Sequence, residues 1–206
     1  MSQPLDIHAL QAHGPVIPVI VIDDPDHAVP MARALVAGGI RVLEITLRTP
    51  VALQAMERIA NEVPQAIVGA GTLRRPSDVE AALRVGCRFG VSPGYTAALA
   101  QACRDGGLPL LPGVATASEL MSALDDGLSF LKFFPAVAAG GINMLKSLAG
   151  PFPDVSFCPT GGLTLQTAPD FLAIPQVKVC GGSWLTPREL MVAGDWAGKI
   201  GRAAWR

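Results

Sequence analysis

The stretch Val42-Leu43-Glu44-Ile45-Thr46-Leu47-Arg48-Thr49-Pro50 decides how this chain is read. Through Leu47 it has the β-branched, alternating character of a strand. Thr49-Pro50 then supply a capping side chain and a proline, and an alanine- and leucine-rich pattern runs on to residue 62 as a helix. The same strand–turn–helix unit recurs, and eight copies can be traced. Their strands fall at Val16–Ile22, Val42–Leu47, Ala66–Val68, Phe89–Val91, Leu108–Leu111, Phe130–Phe134, Val155–Cys158 and Val177–Cys180. Helical patterns lie near 26–38, 50–62, 77–85, 95–105, 117–125, 139–149, 166–173 and 185–204.

Further helix starts are written as Arg75-Pro76-Ser77-Asp78 and Thr116-Ala117-Ser118-Glu119, and ends as Gly38-Gly39, Gly86 and Gly106-Gly107. Strands alternating with helices must pair in parallel, because a parallel neighbour needs a crossover connection. Eight such units with tight links predict a minimal (β/α)8 barrel, one domain over residues 1–206 with a short helical segment before the first strand. The open doubly wound sheet is the alternative. It is weakened by the absence of G-x-G-x-x-G after the first strand, where Val21-Ile22-Asp23-Asp24-Pro25-Asp26 stands.

Composition narrows the class. Half of the 206 residues are hydrophobic and 16% charged, with a mean hydropathy of +0.40, which excludes a disordered chain. Sixteen basic and 17 acidic residues leave a net charge of -1, so no global positive field exists for nucleic acid or an anionic membrane. The start has no basic targeting region, and the apolar run Val16–Ile22 is short and interrupted by proline. The expectation is a cytoplasmic protein. Cys87, Cys103, Cys158 and Cys180 form no C-x-x-C pair, so a cysteine-held metal is not expected. Cys158 and Cys180 fall in consecutive strands, which makes a disulfide conceivable, but reduced, buried thiols fit better. His8, His13 and His27 all lie near the first strand, away from every motif described below, so a histidine-based hydrolase triad is not expected.

Three strand ends break the apolar rule. Counting the second strand in twos puts Leu43, Ile45 and Leu47 under the helices and turns Glu44, Thr46 and Arg48 inward, where polar groups need partners or a task. A direct Glu44–Arg48 pair would have to span about 13 Å along the strand. In the sixth strand, Lys132 shares a face with Phe130 and Phe134. Inside the barrel mouth, loss of water and a neighbouring Arg48 would favour the neutral, nucleophilic amine. Of the other three lysines, Lys146 and Lys199 fall on helices and Lys178 at the start of the eighth strand, the face of a barrel that serves stability. The third feature is the pair of turns Pro159-Thr160-Gly161-Gly162 and Gly181-Gly182-Ser183 after strands seven and eight, where bare backbone and a following helix start suit a phosphate. Gly69-Ala70-Gly71-Thr72 and Ser92-Pro93-Gly94 read as tight turns. Thr72 is placed to donate to a substrate carboxylate beside the planar fork of Arg48.

A desolvated lysine, a carboxylate, an arginine and a phosphate cradle at one end of a barrel suit iminium chemistry on a phosphorylated 2-oxo acid. Such chemistry needs no metal and no cofactor. The runs Val42–Thr49, Val68–Thr72, Phe130–Pro135, Phe157–Gly162 and Gly181–Trp184 resemble the bacterial 2-dehydro-3-deoxy-6-phosphogluconate (KDPG) aldolases, in the same order and from Pro15 to about Leu185. The resemblance implies a class I aldolase releasing pyruvate and glyceraldehyde 3-phosphate in the Entner–Doudoroff route. It implies Lys132 as the Schiff-base residue, Glu44 as general acid and base, Arg48 with Thr72 as the carboxylate site, and Pro93, Phe134 and Thr160 in the pocket. Gly161, Gly162, Gly182 and Ser183 are implied to hold phosphate, and the chain to form a homotrimer. Arg74-Arg75 after Thr72 and a short last helix depart from the pattern. Rival expectations are 4-hydroxy-2-oxoglutarate or the galactonate epimer as substrate, a metal-dependent aldolase or decarboxylase, and a non-catalytic phosphosugar-binding barrel.

Overall fold

The computed structural model describes residues 5–196. A 3-10 helix, Ile7–His13, leads into β1 (Val16–Ile20), then α1 (Ala28–Ala37), β2 (Val42–Thr46), α2 (Ala52–Glu62), β3 (Ile67–Gly71), α3 (Pro76–Arg84), β4 (Phe89–Val91) and α4 (Ala97–Gly106). The second half runs β5 (Leu110–Leu111), β6 (Gly113–Val114), α5 (Ala117–Asp125), β7 (Phe130–Phe133), α6 (Gly141–Ala149), β8 (Ser156–Pro159), α7 (Ala168–Leu172), β9 (Cys180–Gly182) and α8 (Arg188–Ala193). The helix expected over 185–204 is seen as α8, which Gly194 ends at Ala193 with a left-handed φ of +64°; residues 197–206 lie outside the described residues.

All pairings are parallel. They form a six-stranded sheet, β5-β4-β3-β2-β1-β9, and a three-stranded one, β6-β7-β8. The expected fifth strand is thus two short strands flanking Pro112, which has no N–H to give to a ladder. Its carbonyl still accepts from the Lys132 N–H at 2.8 Å. Bridges at Phe157–Val177 and Thr160–Gly181 link the last segment to β8.

Strand boundaries moved where glycines were read as turns. Gly69–Gly71 and Gly181–Gly182 lie inside β3 and β9. A Cβ on Gly69 would stand 2.2 Å from the Phe89 ring, and one on Gly182 1.7 Å from the Trp184 ring. Gly69 is bare to admit its cross-strand neighbour Phe89, and Gly182 to admit the ring of Trp184 folding back from the turn two residues on.

Helix ends follow the sequence more closely. At α5 the Thr116 hydroxyl accepts the Glu119 N–H while Glu119 accepts the Thr116 N–H, a reciprocal cap. Thr49 does not cap α2; its hydroxyl donates to the Ile22 carbonyl at 2.6 Å and ties the β2 end to β1. On α2, Ala52, Ala55, Met56 and Ile59 are buried, the spacing of one helix face.

Alternation along the strands separates the cores. Leu43 and Ile45 pack outward under α1–α4, and Leu131 and Phe133 outward under α5–α7. Val42, Phe89, Leu111, Phe130 and Cys158 turn inward and meet Leu10 of the 3-10 helix. Each large side chain buried this way contributes about 1.5–3 kcal/mol of hydrophobic free energy. Because side chains alternate, Glu44 shares the inner face of Val42, and Lys132 that of Phe130.

Candidate functional site

Lys132 and Glu44 meet on this inner face, from the second half of β7 and the middle of β2. The Nζ lies 3.3 Å from Oε1 of Glu44, and each side chain is 4% exposed. The ring of Phe134 stands 5.3 Å from the ammonium, close enough for a cation–π contribution. The sequence anticipated Arg48 as the charged neighbour of the amine; the ion partner is instead Glu44. β2 ends at Thr46, so Arg48 sits in the following turn, exposed, rather than on the inward strand face. Thr46 is buried and its hydroxyl is committed to the Ile20 carbonyl at 3.0 Å.

Arg48 Nε donates to the Thr72 hydroxyl at 3.3 Å, so the expected neighbours do meet. Thr72 achieves this at a φ of +65°, a left-handed conformation that a β-branched residue rarely adopts.

A cleft of about 140 Å³, which shares Phe134 with the lysine, brings together Arg48, Phe134, Thr160, Gly161, Gly162, Gly182 and Ser183. Gly161 and Gly162 have φ of +102° and +79°, and a Cβ on Gly162 would lie 2.8 Å from that of Val137. Sharp turns of this kind present backbone N–H groups to an anion. The helices expected from 166 and 185 begin two and three residues later, α7 at Ala168 and α8 at Arg188, both short and set back from the glycines. The cradle is therefore loop backbone. Thr160 is buried, its hydroxyl donating to the Cys158 carbonyl at 3.3 Å.

Pro93 does not line this cleft. It stands one strand away, its carbonyl against Gly113, where a Cβ would come within 2.2 Å. Gly113 is the register partner of Lys132. The buried Ser92 hydroxyl donates to the Gly94 carbonyl at 2.7 Å and fixes that turn. Sequence reasoning missed Ser92, Gly113 and the cleft-lining Val19 and Val21; for the two valines, counting β1 in twos held the signal.

A larger cleft, about 650 Å³, lies on the far side of Val19, Val21 and Ser183. Asp23, Asp24 and Glu189 line it, with Arg188 paired to Asp23 at 3.1 Å, so its field opposes an anion.

The remaining lysines fall away from the pair. Lys146 is exposed on α6, Lys178 is exposed and donates to the Pro175 carbonyl at 2.8 Å, and Lys199 lies outside the described residues. The four cysteines are free and buried. Burial pushes the Cys158 thiol up to about 12 against the opposing pull of Lys132. Cys158 faces the inner core while Cys180 contacts the Ala168 carbonyl outside, so no disulfide joins them.

Parallel strands that carry a buried amine–carboxylate pair, with a guanidinium and glycine turns in the cleft that shares Phe134 with it, define a protein equipped for imine chemistry on an anionic oxo compound. The family model for KDPG and KHG aldolase matches residues 7–202. The 2-dehydro-3-deoxy-phosphogluconate aldolase of Pseudoalteromonas atlantica is 50% identical over 90% of this chain and 86% of its own length. The KHG/KDPG aldolase of Escherichia coli strain K12 is 52% identical over 89% and 86%. The crystal structure of the KDPG aldolase of Legionella pneumophila, with pyruvate captured as a covalent carbinolamine, superposes with a TM-score of 0.93 at 46% identity, covering 100% of this chain and 99% of the other. The chain belongs to the KDPG and KHG aldolase family.

Proposed function

We propose that this chain is a class I aldolase that cleaves KDPG to pyruvate and glyceraldehyde 3-phosphate through a Schiff base on Lys132. The observation that carries the reading is the Lys132–Glu44 pair: an amine and a carboxylate 3.3 Å apart, both 4% exposed, joined to the Arg48 and glycine cleft through the shared ring of Phe134.

Moving one proton from Nζ to Oε1 generates a neutral amine and a protonated carboxyl in place, with no charge drawn from solvent. The amine attacks the C2 carbonyl; the N–C bond forms as the carbonyl π pair moves to oxygen, and one of the two protons on the now-cationic nitrogen passes to that oxygen, giving the neutral carbinolamine while Glu44 stays protonated. Glu44 then returns its proton to that hydroxyl, the C–O bond breaks, water leaves and the iminium forms. The ionised Glu44 next accepts the C4 hydroxyl proton. The C3–C4 bond breaks, its electron pair enters the iminium to give an enamine, and the aldehyde departs. Protonation at C3 and hydrolysis release pyruvate and restore the lysine.

Arg48 with Thr72 would hold the C1 carboxylate, and Gly161, Gly162, Gly182 and Ser183 the phosphate. Phe134 and Thr160 would form the wall beside the reacting carbons, with Pro93 shaping the pocket through Gly113. The strand order, the single Pro112 between β5 and β6, and the bridges from β8 to the last segment support one closed (β/α)8 barrel and a single domain. The same reading makes the enzyme a cytoplasmic homotrimer.

Borohydride reduction in the presence of pyruvate, followed by peptide mass mapping, tests the chemistry. One adduct on Lys132 is expected; active enzyme labelled elsewhere, or not at all, refutes it. Backbone donors accept any compact anion, so 4-hydroxy-2-oxoglutarate and the galactonate epimer are the competing substrates, ranked by kcat/KM. Gly162→Asp should abolish turnover of the phosphorylated substrate far more than that of its dephosphorylated form. Equal loss of both would make the turn merely structural.

A further inference from the structure

Gly71 closes β3 and is buried, paired in register with Thr46. A Cβ built on it would lie 2.5 Å from Oε1 of Glu44, 2.7 Å from its Cγ and 3.0 Å from its Cδ. Oε1 is the same oxygen that faces the Lys132 amine at 3.3 Å. The carboxylate therefore rests against bare backbone, and it has nowhere to retreat cheaply, because the glutamate is 4% exposed and its oxygen is held by a buried amine.

Backbone conformation does not explain this glycine. Its φ lies outside the left-handed region, whereas its neighbour Thr72 takes φ +65° with a β-branched side chain. A rule of conformational ease would place the glycine at 72. The chain does the reverse: it leaves residue 71 bare, where the carboxylate needs room, and accepts strain at residue 72, where the hydroxyl meets Arg48 at 3.3 Å. The Gly71 carbonyl also accepts the Leu47 N–H at 2.9 Å, which fixes the start of the turn carrying Arg48.

We infer that Gly71 is a positioning residue for the reaction, acting through Glu44: its missing side chain sets where the proton-transferring oxygen sits relative to the Lys132 amine. The inference rests on the aldolase reading and deepens it. With a methyl at residue 71, Oε1 must withdraw by about 0.9 Å to regain the 3.4 Å of ordinary contact. A displacement near 1 Å in a proton-transfer group costs on the order of 10²-fold in rate. The three heavy atoms nearest such a methyl all belong to Glu44, so the loss is expected in proton transfer rather than in substrate capture.

The test is steady-state kinetics on Gly71→Ala, Glu44→Ala and the double variant, each checked for folding by circular dichroism. Gly71→Ala is expected to lower kcat about 10²-fold with KM within about threefold of wild type. In the Glu44→Ala background the methyl enters vacated space, so the double variant should match Glu44→Ala in both rate and stability. Unchanged kcat in Gly71→Ala, a loss confined to KM, or additive losses in the double variant would overturn the inference. Should Gly71→Ala fail to fold, the double variant must regain the folding of Glu44→Ala; if it does not, the glycine is structural and the inference fails. Wild-type trapping on Lys132 with pyruvate is run alongside: its absence sinks the aldolase reading, whereas its presence with an unaffected Gly71→Ala sinks the positioning role alone.

Discussion

Replacing Glu44 by leucine leaves the Lys132 ammonium buried without its counter-ion. At the observed 3.3 Å separation, an effective dielectric constant of about 20 gives an attraction of about 5 kcal/mol. Breaking one side of a buried pair generally costs about 3–5 kcal/mol, because the survivor keeps its desolvation penalty. For a chain of this length that is a fall in thermal midpoint on the order of 10 °C. The double variant Glu44→Leu/Lys132→Met removes both charges and fills the volume with apolar atoms, so it should return to within about 1 kcal/mol of wild type while remaining inactive. Thermal and urea unfolding of wild type, the single variants and the double variant measure the cycle. If Glu44→Leu is as stable as wild type, or the double variant is no better than the single one, the two groups are not an electrostatic unit and the mechanism loses its proton relay.

Arg48→Lys keeps the charge but loses the planar fork, and KM for the oxo-acid should rise about 10- to 100-fold, the worth of a charge-assisted bond; an unchanged KM would remove Arg48 from the carboxylate site. Burial pushes the Glu119 carboxyl up, but the Ala115 and Thr116 N–H groups and the Thr116 hydroxyl outweigh it and hold it below its ordinary value near 4.5. A lowered folded-state value means the cap stabilises above the unfolded value and is lost as pH falls through the folded one. Glu119→Gln should therefore cost about 1 kcal/mol at pH 7, a cost that shrinks progressively as pH falls below the unfolded value near 4.5, read from urea midpoints. Gly69→Ala drives a methyl into the buried Phe89 ring and should destabilise by about 1–3 kcal/mol, with Phe89→Leu recovering most of the loss in denaturant titrations.

Strand–helix alternation was legible because it follows local patterns of β-branched, alanine-rich and capping residues, and the Thr116–Glu119 box fell where spacing placed it. Boundaries slipped at Gly69–Gly71 and Gly181–Gly182, since glycine is equally the residue of turns and of close approach, and only the facing side chain tells which. Pro112 announced its own break but not that β5 and β6 would pair with different neighbours. In the site, Lys132 and Glu44 were identifiable singly as polar groups on apolar strands. Their pairing was not, because they are 88 positions apart.

The sequence by itself determined which residues are chemically unusual, the period of the elements and the parallel pairing, because these depend on neighbours along the chain. Tertiary structure alone decided which charge faces the amine, that Thr72 rather than Gly71 takes the left-handed backbone, and that the Pro93 carbonyl lies against Gly113, the register partner of Lys132. The physical reason is that contacts at ångström range depend on how strands register and on which side chain leaves room for another, and neither is encoded in any local window.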